Sequence, residues 1–365
     1  MKLSFEHILN VFLVFIPVPI LGSYLHWPPV VIFLTACLGI VPLAGLMGKA
    51  TEYLADRIGS SWGALLNATF GNACELIIAL AALRAGLIDV VEASITGSII
   101  GNILLVLGGS MLVGGLRYQT QYFNRTAATT SATLLALAAI SLTVPAVFHI
   151  SNSHHSAAGD HHSDYNLALA IAVIQLVTYV LSLIFSLKTH KQLYFSNEGE
   201  EKDEALGTAG WGVAKSSLVL LAATIGVAVL SEYLVNAVEK SAETLGLSHI
   251  FIGVILVAIV GNAAEHSTAI LMAFKNKMDL SINIALGSGS QIALFVAPVI
   301  VFVGYFTGHP MDLCFSEVEL LSIVVSVIIL SFVATDGECN WLEGVQLLAV
   351  YGILGAAFFN RKSVV

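Results

Sequence analysis

Charge is scarce in this sequence. Asp, Glu, Lys and Arg supply 11% of its 365 residues against 57% hydrophobic ones, and the mean hydropathy of +0.88 is far above that of a chain folding in water. That excludes a soluble globular domain. Basic residues are outnumbered by acidic ones, 15 to 24, and the net charge of −9 argues against nucleic acid as a partner. Cysteine is confined to Cys37, Cys74, Cys314 and Cys339 with no C-x-x-C spacing, so neither zinc nor a redox pair is expected and all four read as free thiols. No H-E-x-x-H run occurs, Glu265-His266 has the wrong order and spacing for such a site, and no EF-hand loop is present. An intramembrane enzyme is therefore disfavoured and no cofactor is expected. No small-residue cleavage site separates the first apolar run from Trp27-Pro28-Pro29, so that run reads as a retained helix, not a signal peptide.

What is abundant is apolar sequence in span-length runs. Stretches of about 20 residues suit the hydrocarbon thickness, and they fall near 8–25, 29–48, 61–83, 93–114, 127–148, 166–187, 213–236, 249–273, 280–306, 316–334 and 341–359. The fold expected is all-α and polytopic, with about 11 transmembrane helices. With the N-terminus inside, cytoplasmic segments hold eleven basic residues: Lys2, Lys49, Arg57, Arg117, Arg125, Lys188, Lys191, Lys202, Lys215, Lys275 and Lys277. External segments hold four: Arg84, Lys240, Arg361 and Lys362. This bias sets the N-terminus in the cytoplasm and the C-terminus outside.

The chain also repeats itself. Residues 63–108 align with 253–298 at a constant offset of 190 without a gap, matching Gly71-Asn72-Ala73-x-Glu75 to Gly261-Asn262-Ala263-x-Glu265 and Gly97-Ser98 to Gly287-Ser288. An internal duplication is the best explanation. The copies are five spans apart, and an odd number inverts the second one, as in secondary transporters whose site lies at the midplane between repeats. The expected organisation is an N-terminal helix at 1–27, a five-helix repeat at 28–187, an acidic cytoplasmic linker or helix at 188–212 and an inverted five-helix repeat at 213–365.

Glu75 and Glu265 are the central residues, mid-span and without a basic neighbour in sequence. A carboxylate at that depth is costly unless it binds something or is protonated. Gly71-Asn72 and Gly261-Asn262 are poor helix formers, so each helix is expected to distort just before its Glu and to free backbone carbonyls. Asn72 and Asn262 share a helical face with Glu75 and Glu265. Carboxylates, amide oxygens and carbonyls form an all-oxygen site suited to a hard divalent cation such as Ca2+. On the following spans Ser98 with Asn102, and Ser288 with Gln291, place polar groups on one face, although Gly-Ser pairs also serve simply to let helices approach.

These stretches, G-N-A-C-E-L-I-I-A-L at 71–80, G-S-I-I-G-N-I-L-L-V-L-G at 97–108, G-N-A-A-E-H at 261–266 and G-S-G-S-Q-I-A-L-F-V-A-P at 287–298, resemble the cation/proton exchanger (CAX) family of the calcium/cation antiporter superfamily. The resemblance covers nearly the whole chain. It implies Ca2+/H+ antiport by alternating access, with Glu75 and Glu265 binding either Ca2+ or protons, and Asn72, Asn262, Gln291 and Asn102 as polar neighbours. Gapless alignment sets Gln291 opposite Gly101 and Asn102 opposite Ile292, so the half-sites are not identical.

Other residues invite weaker readings. Glu232 and Glu52 lie in similar Ser/Thr-Glu-Tyr-Leu segments and are candidates to relay protons or attract cations, with solvated helix-end acids as the plainer account; His266 is a candidate proton helper or a packing residue. His149, His154, His155, His161 and His162, with Asp160 and Asp164, form a loop that either gathers metal or is a polar linker. Glu198, Glu200, Glu201, Asp203 and Glu204 form a candidate regulatory acidic loop, or a solvated one. Rival transport readings are exchange of Na+ for Ca2+, exchange of Mn2+ or another divalent cation, and a cation channel. The bilayer is the expected environment, in a bacterial plasma membrane because no long N-terminal extension is present, and homo-oligomerisation stays open.

Overall fold

The computed structural model describes residues 11–58, 60–153, 162–190 and 211–361. The helices are α1 (Pro17–Tyr24), α2 (Pro29–Ile58), α3 (Ser60–Phe70), α4 (Ala73–Arg84), α5 (Ile88–Gly115), α6 (Arg125–Ser153) and α7 (His162–Ile184), then α8 (Val213–Leu245), α9 (His249–Gly261), α10 (Ala263–Phe274), α11 (Met278–Thr307), α12 (Glu317–Val333) and α13 (Trp341–Asn360). Seven of them, α2, α5, α6, α7, α8, α11 and α13, are long and apolar enough to cross a membrane, and α9 with α10, bent by 63°, makes an eighth stretch. Adding α1, the α3–α4 pair and the 17-residue α12 gives eleven helical stretches at the positions of the eleven apolar runs. The fold is thus an all-α polytopic membrane fold. Much of its surface is apolar because lipid, not water, covers it.

Two helices outrun their apolar sequence. α2 continues to Ile58 and α8 to Leu245, well past 48 and 236, through Lys49, Glu52, Glu239 and Lys240. Charge marks the limit of the hydrocarbon, not of the helix. α8 stops only where Gly246 takes the left-handed conformation at φ 66°. Capping boxes open α12 at Ser316 with Glu319 and α13 at Asn340 with Glu343.

Small residues set the helix crossings. A Cβ on Gly39 of α2 would stand 2.7 Å from Leu230 Cδ1 of α8, and one on Gly226 of α8 would stand 2.9 Å from Leu43 Cδ1 of α2, so these two long helices interlock reciprocally. α5 and α9 do the same: a Cβ on Gly97 would meet the Val254 main chain, and one on Gly253 would stand 2.6 Å from Ala93 Cβ. Packing exchanges partners between the halves, since α4 meets α11 as α10 meets α5, and α13 meets α5 as α7 meets α11. A two-residue antiparallel bridge joins β1 (Gln121–Tyr122) to β2 (Glu338–Cys339).

Candidate functional site

Two helix breaks build the site. Asn72 has φ −101° and ψ 23°, Asn262 has φ −92° and ψ 6°, and both leave the helical path where the Gly-Asn sequence allows it. The distortion expected at both segments is present. It starts α4 and α10 afresh, so Glu75 and Glu265 each lie in the first turn of a new helix, at its positive dipole end.

The breaks face α5 and α11, and there six polar side chains join into one buried chain. Asn72 Nδ2 donates to Gln291 Oε1 (2.5 Å), and Ser288 Oγ donates to Asn72 Oδ1 (3.0 Å). Asn102 Nδ2 donates to Ser288 Oγ (3.0 Å) and more weakly to Asn262 Oδ1 (3.4 Å). Asn262 Nδ2 donates to Ser98 Oγ (2.9 Å) and to the Ala258 carbonyl (2.9 Å). Asn72, Asn102 and Asn262 are fully buried. The Gly-Ser pair therefore has divided roles in α5: Gly97 admits α9, and Ser98 receives the amide that α9 brings.

The misaligned amides fall into equivalent roles. Each contacts the break Asn of the other half, Asn102 meeting Asn262 and Gln291 meeting Asn72. Both helices widen into π turns at this level, over Gly101–Val106 in α5 and Ile292–Val296 in α11. Asn102 lies inside its π turn and Gln291 immediately before its own, so the one-residue slip is located where helical register is loosest. Such turns are common at functional sites.

The carboxylates flank this chain crosswise. A Cβ on Gly71 would be 3.5 Å from Glu265 Oε1 and 3.8 Å from Gln291 Oε1; one on Gly261 would be 3.3 Å from Glu75 Cγ and 3.6 Å from its Oε1. The glycine of each half thus accommodates the acid of the other. Glu75 is 5% exposed. Glu75 Oε2, Glu265 Oε2 and Asn102 Oδ1 are buried without hydrogen-bond partners, and neither acid has a Lys or Arg partner among the described residues. Three orphaned oxygens on α4, α5 and α10 are chemistry for a hard cation or a proton. Among the described residues no group of three or more His, Cys, Asp and Glu is placed to hold a metal, so any cation here must draw on the amides and hydroxyls as well.

The helper candidates lie elsewhere. Glu232 is exposed in a groove of 210 Å³ lined also by Ala81, Arg84, Ala85, Val235 and Asn236, at the far end of α4 from Glu75. Glu52 is exposed on α2. His266 is buried with Nε2 unpartnered and makes no hydrogen bond to Glu265. His149 contacts Asp164 at 2.8 Å. His154, His155, Asp160 and His161, the His162 side chain, and Glu198, Glu200, Glu201, Asp203 and Glu204 lie outside the described residues. All four cysteines are free thiols. Sequence reasoning passed over two buried acids, Glu92 and Glu319. The signal was available, an acid at or inside an apolar run, as for Glu75.

A helical bundle with lipid-crossing helices and a polar site at paired helix breaks defines a polytopic integral membrane protein built from two similar halves. The family described as sodium/calcium exchanger protein matches residues 28–188 and 215–359, and the chain belongs to it. It is 48% identical over 363 residues to the Ca2+/H+ antiporter of Aphanothece halophytica, covering 96% of both chains. It is 46% identical over 345 residues to the Ca2+/H+ antiporter ChaA of Bacillus subtilis, covering 94% of this chain and 96% of that one. The solved structure of native YfkE superposes with a TM-score of 0.82 at 43% identity, covering 96% of this chain and 99% of that chain.

Proposed function

We propose that the protein is a secondary active transporter that moves Ca2+ out of the cytosol in exchange for protons, with Glu75 and Glu265 binding one or the other. The observation that carries this reading is the set of three buried, unpartnered oxygens, Glu75 Oε2, Glu265 Oε2 and Asn102 Oδ1, beside a chain of amides and hydroxyls. The donors are oxygens and two are ionisable, which suits a hard divalent cation. The names of the bacterial relatives support the same pairing of Ca2+ with H+.

Coupling then follows from charge. Two buried carboxylates without a cation are driven to hold protons, because desolvation and mutual repulsion penalise the ionised pair. Bound Ca2+ reverses this, so occupancy is exclusive: as the cation arrives the carboxyl protons leave. In either loaded state the site moves without a bare charge. We assign the alternation to rocking of an inverted repeat at 213–365 against its counterpart at 28–187, with the N-terminus and the 188–212 connector cytoplasmic in a bacterial plasma membrane.

The test is Ca2+ uptake into inverted vesicles driven by an imposed pH gradient in sodium-free medium. Glu75→Gln and Glu265→Gln should each abolish uptake in folded protein. Normal uptake in either variant would overturn the paired-acid mechanism. Strict dependence on sodium, the driver that the family description also includes, would overturn proton coupling.

A further inference from the structure

A second pair of acids is buried away from the amide chain. Glu92 lies near the start of α5 and Glu319 in the first turn of α12, 7% and 2% exposed. Each keeps one carboxylate oxygen, Oε1 in both, buried and unpartnered. Helix capping accounts for the other Glu319 oxygen, which accepts from the Ser316 N–H (3.0 Å) and hydroxyl (2.5 Å). No cap or ion pair accounts for Glu92 among the described residues.

The surroundings leave the pair short of positive charge. Glu92 lies within electrostatic reach of Glu319, Asp312, Asp89 and the Cys314 thiol, and Glu319 within reach of Asp89 and Arg361. Asp89 is exposed and Asp312 half-buried, so water serves them. Arg361 Nη1 donates to Ser316 Oγ (2.5 Å), placing a guanidinium on the Glu319 side of the pair. That guanidinium offsets one carboxylate and leaves Glu92 without a cation of its own among the described residues, so the cluster of Glu92, Glu319 and Arg361 is neutral when one carboxylate is protonated. Further along the buried faces come Thr96 on α5, its Oγ1 unpartnered, and Ser322 and Ser326 on α12, all fully buried. The offset of 190 sets Ile282 and Leu286 opposite Glu92 and Thr96, so on α5 and α11 this polar seam belongs to one half only.

We propose that Glu92 and Glu319 form a second acid site that takes up and releases a proton at the membrane face bearing the N-termini of α5 and α12. This face is opposite the one where α7 ends and α8 begins. The site extends the exchange reading above, on which its role in transport rests: it stores a proton on one side of the membrane, and Glu92 has only Ile282 as its counterpart in the other half.

The deciding experiment is an infrared pH titration of the purified full-length protein without Ca2+. A protonated-carboxyl stretching band should persist in the Glu75→Gln/Glu265→Gln double variant and be lost when Glu92→Gln is added. Glu319→Gln, which keeps a capping oxygen, should shift its titration. Survival of the whole band with Glu92→Gln would overturn the proposal. This readout needs no transport, so failure of the exchange reading leaves it decisive. In proteoliposomes with pH varied on one face at a time, Glu92→Gln should slow exchange several-fold and flatten its pH dependence from that face, with Ca2+ binding by calorimetry unchanged. A wild-type pH profile in this variant would also overturn the proposal.

Discussion

Glu265 of the second half rests against Gly71 of the first, its Oε1 3.5 Å from where a Cβ on that glycine would stand. The space is filled by the partner repeat's acid, so the glycine is part of the site and not only a helix breaker. A Cβ on Gly71 would also stand 2.7 Å from the Asn67 carbonyl, which is main chain and yields little. Gly71→Ala should therefore displace the break and the carboxylate together. Since displacements near 1 Å cost as much as 100-fold at a positioned group, roughly ten-fold or greater loss of transport is expected. A Cβ on Gly261 would have the Glu75 side chain as its nearest neighbour, at 3.3 Å, and no main-chain atom closer, so Gly261→Ala should lose less. Initial uptake rates in vesicles matched for protein content check the order.

Helix packing gives a sharper contrast. A side chain on Gly97 would collide with the Val254 main chain of α9, whereas Gly352 on α13 is exposed with nothing described within 4 Å. Gly97→Val should destabilise the bundle by about 1–3 kcal/mol or more through overpacking, and should also pull Ser98 from Asn262. Gly352→Ala should be neutral, since alanine is the better helix former. Thermal unfolding in detergent followed by light scattering would show a lowered Tm for the first variant and none for the second.

Much of the site was legible because its elements are chemical oddities in apolar sequence. Gly71-Asn72 and Gly261-Asn262 are poor helix formers in helical runs, and the chain breaks at both. The convergence of Asn102 and Gln291 was not legible from a linear offset, which sets neither amide opposite the other. It depends on π turns, and a widening of the helix leaves no mark in residue spacing. Glu92 and Glu319 escaped for another reason. A repeat comparison shows what the halves share, and Glu92 has Ile282 as its counterpart. Helix ends beyond residues 48 and 236 were hidden because hydropathy reports contact with lipid, which the charged ends of α2 and α8 do not need.

Outside the spans, Cys339 should be chemically silent. It is 2% exposed in β2, and burial first, then Glu343 and Glu338, push its thiol pKa from 9.0 up to about 12. Alkylation requires thiolate, so a maleimide at about pH 8 should leave Cys339 unlabelled in the folded protein and label it after denaturation. The sign for stability follows from linkage: the folded thiol keeps its proton to higher pH than the unfolded one, so its contribution is complete below pH 9.0 and is lost as pH rises toward 12. Peptide mass spectrometry of labelled protein checks the first point. Rapid labelling of native Cys339 would contradict the burial that closes the β1–β2 bridge.

The two site serines, equivalent by sequence offset, should differ in consequence. Ser288 Oγ gives its proton to Asn72 Oδ1 and accepts from Asn102 Nδ2, each at 3.0 Å, so it links two amides from different elements. Ser98 Oγ accepts from Asn262 Nδ2 at 2.9 Å, and that amide also has the Ala258 carbonyl to fall back on. A net hydrogen bond is worth about 1 kcal/mol, or roughly five-fold in an equilibrium constant, and a buried group left unpaired costs more. Ser98→Ala should therefore weaken Ca2+ binding by roughly five-fold, and Ser288→Ala, with two bonds severed and Asn72 Oδ1 orphaned, by roughly thirty-fold or more. Calorimetry on both variants and a Ser288→Ala/Asn72→Ala cycle would measure the coupling. Equal losses from the two serines would mean that the amide chain does not position the cation oxygens, and that Glu75 and Glu265 hold the ion without it.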